Sequence, residues 1–235
     1  MINLIKKLYY EKYTKKSYSI SNVDLIIDRM FSKVEKGVFI DLGCNHPIKF
    51  NNTYLLYKRG WRGINIDLDK ESIDEFNKIR DKDYNVQSLI STNIGEEKEI
   101  YYYHSRSAIN TLSKELLEHR NTKKNSIKIL KETTNTLENI IEKSPFKNHK
   151  INLLSIDIEN HEYEALKNFN FAKFRIDVIV IEIHDLRQKK LEIYNQSLDF
   201  VVNSKIYKLL TNNSYKLVNW VNSDFVFVQE DFNLN

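Results

Sequence analysis

Four short stretches of the chain gather residue types that move protons or bind hydroxyls. They are Asp41-Leu42-Gly43-Cys44-Asn45-His46, Asp67-Leu68-Asp69, Asp157-Ile158-Glu159-Asn160-His161-Glu162 and Glu182-Ile183-His184-Asp185. Carboxylates and imidazoles accept protons, and both ligate divalent cations. Each stretch follows an apolar run, so each reads as the polar end of a strand. Strand ends that face water are often polar. Four acidic ends, three of them with histidine, exceed what a purely structural sheet needs.

The first stretch narrows the ligand class. A dinucleotide turn would read G-x-G-x-x-G and a phosphate loop G-x-x-x-x-G-K-[ST], and neither occurs. A single glycine, Gly43, follows the acid Asp41 and permits close backbone approach by a ligand without a pyrophosphate. Asp67, at the end of the next strand, can accept both hydroxyls of a ribose. Together these residues describe an S-adenosylmethionine pocket. Asp41 and Gly43 are expected at its methionine end and Asp67 at its ribose. Cys44 and Asn45 belong to the same loop, with Cys44 a packed small side chain and not a nucleophile. Thr53, with Asn52, opens a helix that points at the pocket, or caps that helix. Ser88 and Leu89, on the third strand, are expected beside the adenine.

The later stretches supply the catalytic candidates Asp157, Glu159, Glu182 and His184, with His46 on the opposite side. Glu182 and His184 are two residues apart and share one strand face. Histidine titrates near neutral pH, so His184 or His46 can act as a base. Alternatively, Asp157, Glu182 and His184 can hold magnesium or manganese, which suit oxygen donors with one imidazole. His161 is expected on a surface helix.

Strands lying side by side would bring such ends together. Apolar spacing predicts a helix over 22–34, capped by Ser21 or Asn22 and ended by Gly37. Strands are expected over 38–41, 63–67, 85–91, 98–103, 151–157 and 176–183. Helices are expected over 52–59, after the capping Asp69, from Thr136 to Pro145, over 161–168 and over 195–210. Asn222-Ser223-Asp224 joins strands 215–221 and 225–229 as a hairpin. The alternation implies an α/β fold, a doubly wound and mostly parallel sheet with a C-terminal antiparallel hairpin. Ligands of such sheets bind beyond the carboxyl ends of the strands. Residues 104–135 are polar, contain Lys123, Lys124, Lys128 and Lys131, and are expected to form a mobile helix-loop lid.

The 235 residues are 41% hydrophobic and 12% aromatic, enough for a sizeable core and too much for general disorder. Without repeats or Gly/Ser linkers, a single domain over 21–235 is expected behind a basic arm over 1–20. Residues 1–16 hold five lysines and one glutamate, which leaves 31 basic against 31 acidic residues in the rest. A balanced body lacks the broad basic face of a duplex binder, so no nucleic-acid partner is expected. Ile5, Leu8, Tyr9, Tyr10 and Tyr13, interleaved with the arm's lysines, allow a weak membrane-surface or partner contact. No apolar run approaches the roughly 18 residues of a membrane span. One cysteine and the lack of a signal-like apolar stretch point to a reducing, cytoplasmic location.

The stretch from Val38 to Pro47, then Asn52-Thr53-Tyr54, then Gly60 to Asp67 resembles the FkbM-type methyltransferases. Leu153 to Glu159 and Val178 to Glu182 are similar to the second half of that family's pattern. Asn110-Thr111-Leu112-Ser113 is similar to a segment of members that act on sugars. The resemblance runs from about residue 36 to residue 229. It departs at Asn160, where the family usually has glycine, a position asparagine can fill in a left-handed conformation. It departs also at Cys44, which stands for a frequent alanine. The resemblance implies a class I S-adenosylmethionine-dependent fold and O-methylation of a sugar hydroxyl, on a nucleotide-linked or phosphorylated precursor of a surface glycan. Such transfer needs aligned reactants and a group that takes the hydroxyl proton. Two other functions stay open. An RNA 2′-O-methyltransferase is supported only by the lysines from 123 to 131. A non-catalytic nucleoside-binding module would not need Asp157 and Glu182.

Overall fold

The computed structural model describes residues 14–120, 127–186 and 197–232. In chain order it begins with α1 (Val23–Met30), β1 (Val38–Leu42), α2 (Tyr54–Lys58), β2 (Arg62–Asp67), α3 (Lys70–Ile79) and β3 (Tyr84–Gln87). An inserted part follows: β4 (Leu89–Ile90), β5 (Glu97–Tyr102), α4 (Lys114–His119) and β6 (Lys128–Asn135). The chain then returns through α5 (Leu137–Lys143), β7 (Ile151–Ile156), α6 (Glu162–Leu166) and β8 (Ile176–Glu182). It ends with α7 (Leu198–Asn203), α8 (Lys205–Asn212), β9 (Tyr215–Val221) and β10 (Asp224–Gln229).

Seven strands form one sheet in the order β3-β2-β1-β7-β8-β10-β9. β3, β2, β1, β7 and β8 are parallel, and β10 runs antiparallel to both of its neighbours. This is the expected doubly wound sheet with a terminal hairpin. Strand order reverses between β1 and β7, and crevices open at such reversals.

Side chains alternate across this sheet and are apolar on both faces. Ile40, Leu154, Ile179 and Phe227 join one buried cluster. Their neighbours Phe39, Leu153, Val178 and Val226 join the other, with Val23 and Ile27 of α1 and with Trp61. A sheet covered on both faces explains why β8 reads as an almost unbroken apolar run. Gly37 does not end α1, which stops at Met30. It lies against Trp61 instead, where an added Cβ would fall 2.6 Å from the ring. Asn22 caps α1 by position only, with no side-chain cap bond.

The insertion departs most from expectation. Residues 128–135, expected as helix or loop, form β6, which pairs antiparallel with β5 and parallel with β4. The expected strand over 85–91 is divided at Ser88, so that β4 leaves the main sheet for this smaller one. The expected helix over 195–210 is two helices. Ser204 takes an extended ψ of 151° and caps α8 by accepting from the Tyr207 N–H. Residues 195 and 196, most of the basic arm, and Lys123 and Lys124 lie outside the described residues. No described helix is long and apolar enough to cross a membrane.

Candidate functional site

The carboxyl ends of β1, β2, β3 and β7 open onto a cleft of about 850 Å³, counted out to its mouth. Gly43 lies where β1 meets β7. Its φ is 83°, and an added Cβ would fall 1.8 Å from the Asp157 carbonyl oxygen, so only glycine fits. The Asp157 N–H donates to the Leu42 carbonyl at 3.0 Å and locks the two strand ends together.

Asp67 lines the cleft at the end of β2. Its Oδ2 accepts from the Asn45 N–H and its Oδ1 from the Asp69 N–H, both at 2.8 Å. A carboxylate has about four acceptor sites, so two remain after these bonds. Burial pushes its pKa up to about 6 despite the two backbone bonds. Asn45, Ser88 and Leu89 line the same cleft, as the sequence led us to expect.

Asp41, Cys44 and Thr53, also expected at the cofactor, lie beneath the cleft instead. Asp41 Oδ2 accepts from Asn51 Nδ2 and Thr53 Oγ1, each at 2.8 Å. Arg80 is wholly buried and donates to Thr53 Oγ1 (2.8 Å), Asn51 Oδ1 (2.7 Å) and the Pro47 carbonyl (2.9 Å). Its guanidinium stands within about 5 Å of the Tyr54, Tyr57 and Phe76 rings. Burial raises the Asp41 pKa, and the positive charge of Arg80 pulls it back. Cys44 packs with Ile73 and Phe76. The signal for this network was the helix-end residue Arg80, which in sequence looks like any surface arginine.

Acids crowd the other side of the cleft. Asp157 lines the cleft and hydrogen-bonds Glu182. Although Asp157 is open to the cleft, desolvation by the packed atoms around it raises it above the carboxylate range, and the charges of Glu182, Glu162 and Asp224 raise it further. Glu182 Oε1 accepts from Ser223 Oγ at 2.8 Å and lies 2.9 Å from His184 Nε2. Burial and the nearby Glu159 raise Glu182 as well. Glu159 is raised to about 7 by burial and by Asp157, against the pull of its ion-pair partner Arg120. Glu162 accepts from the Ile158 N–H at 2.9 Å and is raised to about 7 by burial.

The geometry alters the expected metal set. Ligand atoms of Glu159, Glu182 and His184 lie within 4.8 Å of one another, a spacing that could hold an ion, and Asp157 is not in this group. Glu159 and Asn160 are consecutive left-handed residues, with φ of 58° and 71°. This turn returns Glu159 toward the end of β8. Asn160 thus fills the position where glycine was expected.

The histidines are also redistributed. His184 faces a separate hollow beside Glu115 and Asn160, not the cleft. His46 Nδ1 accepts from the Ile48 and Lys49 N–H groups at 3.0 and 3.1 Å, which commits it to its own loop. Neither occupies the expected position of a base. His161, expected at the surface, lines the cleft with its Nε2 3.0 Å from Ser91 Oγ. Burial lowers its pKa to about 4, so it is neutral at pH 7.

A strap from Tyr102 to Arg120 spans the two sides. On the β2 side, Tyr102 Oη, Ser105 Oγ and the Arg106 N–H all donate to Asp69, which also caps α3. On the β7 side, Thr111 Oγ1 donates to the Glu159 carbonyl at 2.7 Å, Asn160 Nδ2 donates to Ser113 Oγ, and Arg120 pairs with Glu159. Between these anchors Ser107, Ala108, Asn110 and Leu112 line the cleft.

Residues 41–217, about three quarters of the chain, match the family model of the methyltransferase FkbM domain. No curated protein shows a significant match to the chain.

Proposed function

The chain belongs to the FkbM methyltransferase domain family, and on that premise we propose that it is an S-adenosylmethionine-dependent O-methyltransferase acting on a sugar hydroxyl. The sugar is carried on a nucleotide-linked or phosphorylated precursor of a cell-surface glycan. One observation carries the reading. Asp67 stands half-buried at the end of β2, oriented by two backbone N–H groups, and lines the cleft with acceptor capacity to spare.

The donor set fits this cofactor. Asp67 suits a ribose diol, and Ser88, Leu89 and Ile90 suit a purine edge and face. Asp157 has no ion-pair partner among the described residues and is surrounded by other acids. That end of the cleft is left to the acceptor hydroxyl. Bound in the cleft, S-adenosylmethionine supplies an electrophilic methyl group.

The chain's own residues supply alignment and proton removal. The Gly43–Asp157 junction fixes the floor on which the reactants meet. Asp157 takes the hydroxyl proton as the proton it shares with Glu182 passes to Glu182 behind it, which also holds the Asp157 carboxyl in place. The strap excludes water from the covered cleft.

A magnesium or manganese ion on Glu159, Glu182 and His184 is the second reading, favoured by their spacing. Glu159 is already paired with Arg120, and Glu182 with Ser223 and His184 Nε2, which favours the direct base, while His184 Nδ1 is buried with no hydrogen-bond partner among the described residues. Exhaustive chelation is expected to leave the rate unchanged, and loss of activity with recovery on added manganese would reverse the preference. Mass spectrometry of nucleotide-sugar pools incubated with the protein and S-adenosylmethionine tests the main reading. One species is expected to gain one methyl group. Methylation of RNA, or of nothing, would contradict it.

A further inference from the structure

The mouth of the cleft carries an apolar rim that cofactor binding does not use. Phe50 and Ile20 are 71% and 68% exposed, the two most exposed large hydrophobic side chains among the described residues, and both line the cleft. Single exposed apolar residues are ordinary. Here two, thirty positions apart in sequence, converge on one opening.

The rim is also built to stay in place. Phe50 has a φ of 52°, a region that a bulky side chain avoids unless its surroundings enforce it. The next residue enforces it. The Asn51 N–H donates to the Tyr18 carbonyl at 3.0 Å and so ties the Phe50 loop to the segment bearing Ile20. The Asn51 side chain donates to Asp41 and accepts from the buried Arg80. The Arg80–Asp41 network therefore does not touch the ligand, and it holds the loop that presents Phe50. On the other side, Ser21 donates to Asp224, the first residue of β10, whose register partner is Glu182. The rim thus bridges the Asp41–Arg80 network and the acid side of the cleft.

We propose that Phe50 and Ile20 form the platform for the acceptor, a pyranose ring that lies with its C–H face on Phe50 and its hydroxyl edge toward Asp157. This rests on the sugar-methyltransferase reading above. A pyranose face lined with axial C–H bonds is apolar, and its partly positive hydrogens meet the negative face of an aromatic ring. Ile20 closes the side of the platform and excludes water.

The test measures methyl transfer from S-adenosylmethionine to a panel of nucleotide-linked hexoses, with cofactor affinity measured separately by calorimetry. Phe50→Ala is expected to raise the acceptor KM by about tenfold, from the apolar contact removed, with cofactor affinity unchanged. Ile20→Ala is expected to raise it by a smaller factor, and Phe50→Tyr to restore the wild-type KM. Both positions are exposed, so a melting curve superimposable on wild type accompanies each variant. An unchanged acceptor KM in Phe50→Ala, or Phe50→Leu performing as well as Phe50→Tyr, would overturn the platform while leaving the sugar reading intact. Methylation of none of the hexoses by the wild-type protein would overturn the sugar reading itself, and the platform with it.

Discussion

The two sides of the cleft treat the same residue type in opposite ways. On the β1–β2 side, Asp41, Asp67 and Asp69 are each held by hydrogen-bond donors: side-chain amide and hydroxyl, backbone N–H groups, and a helix end with the strap. On the β7–β8 side, Asp157, Glu159, Glu162 and Glu182 crowd together, with Glu162 buried, Glu159 and Glu182 half-buried and Asp157 open to the cleft, and among the described residues Arg120 is the one arginine or lysine paired with any of them. The first side fixes its acids as hydrogen-bond acceptors. The second raises the cost of charge and so lifts its acids above the ordinary carboxylate range, Glu159 and Glu162 to about 7. Position at a strand end does not decide whether a carboxylate binds or reacts. The donors around it decide.

The largest effect is expected where the reacting side is disarmed. Asp157→Asn should lower kcat by about 10²–10⁴-fold, the usual worth of a general base. Cofactor affinity should persist, because the cofactor's ribose and adenine contacts lie on the other side. A variant that turns over normally would remove the distinction between the sides.

Next comes the foundation of the holding side. Arg80→Met leaves Asp41 buried without its cation, a change that typically costs about 3–5 kcal/mol. Denaturant unfolding should show it, and a loss below about 1 kcal/mol would mean that the network is dispensable.

These two residues also show how far the sequence could be read. Asp157 stood out because it closes an apolar run, and parallel strands buried on both faces are legible as such runs. The same logic located β1, β2, β7, β8, the hairpin, and the acids at their ends. Arg80 was invisible, because burial of a helix-end arginine depends on rings and amides contributed by distant segments. For the same reason Asp41 and Thr53, expected at the ligand, face inward, while Cys44 packs as its small side chain suggests. Sequence gives the loop and not the direction of its side chains. β6 was missed because Lys128 to Thr133 are exposed, so no apolar alternation marks them as a strand. The burial of His161 is not legible because its partner Ser91, in the loop after β4, lies seventy residues away in sequence.

A smaller effect concerns pH. Asp67 at about 6, Glu162 at about 7 and the raised Glu159–Glu182 pair all lie above the roughly 4 of an unperturbed carboxyl. The folded protein therefore binds more protons than the unfolded chain across this interval. The stability these groups contribute is complete below about pH 4 and is lost as pH rises through about 6 to 8. Ligand-free protein should melt at a lower temperature at about pH 8.5 than at pH 6, and Glu162→Gln should flatten the dependence. A melting temperature that rises over this interval would contradict the crowding of acids on the β7–β8 side. The smallest effect lies in the strap. Amide exchange over residues 103–120 should slow when cofactor and acceptor bind together, and full protection in the free protein would show that the strap does not open.

The division of the cleft is tested most directly by titrating S-adenosylmethionine, in one calorimetric series, into wild-type protein, Asp67→Ala and Asp157→Asn. Asp67→Ala leaves ribose hydroxyls without their acceptor and should weaken binding by about 1–3 kcal/mol. Asp157→Asn should bind as wild type does, while its turnover is lost. Wild-type affinity in Asp67→Ala, or an equal loss of affinity in both variants, would contradict the claim that one side of the cleft holds the cofactor and the other performs the reaction.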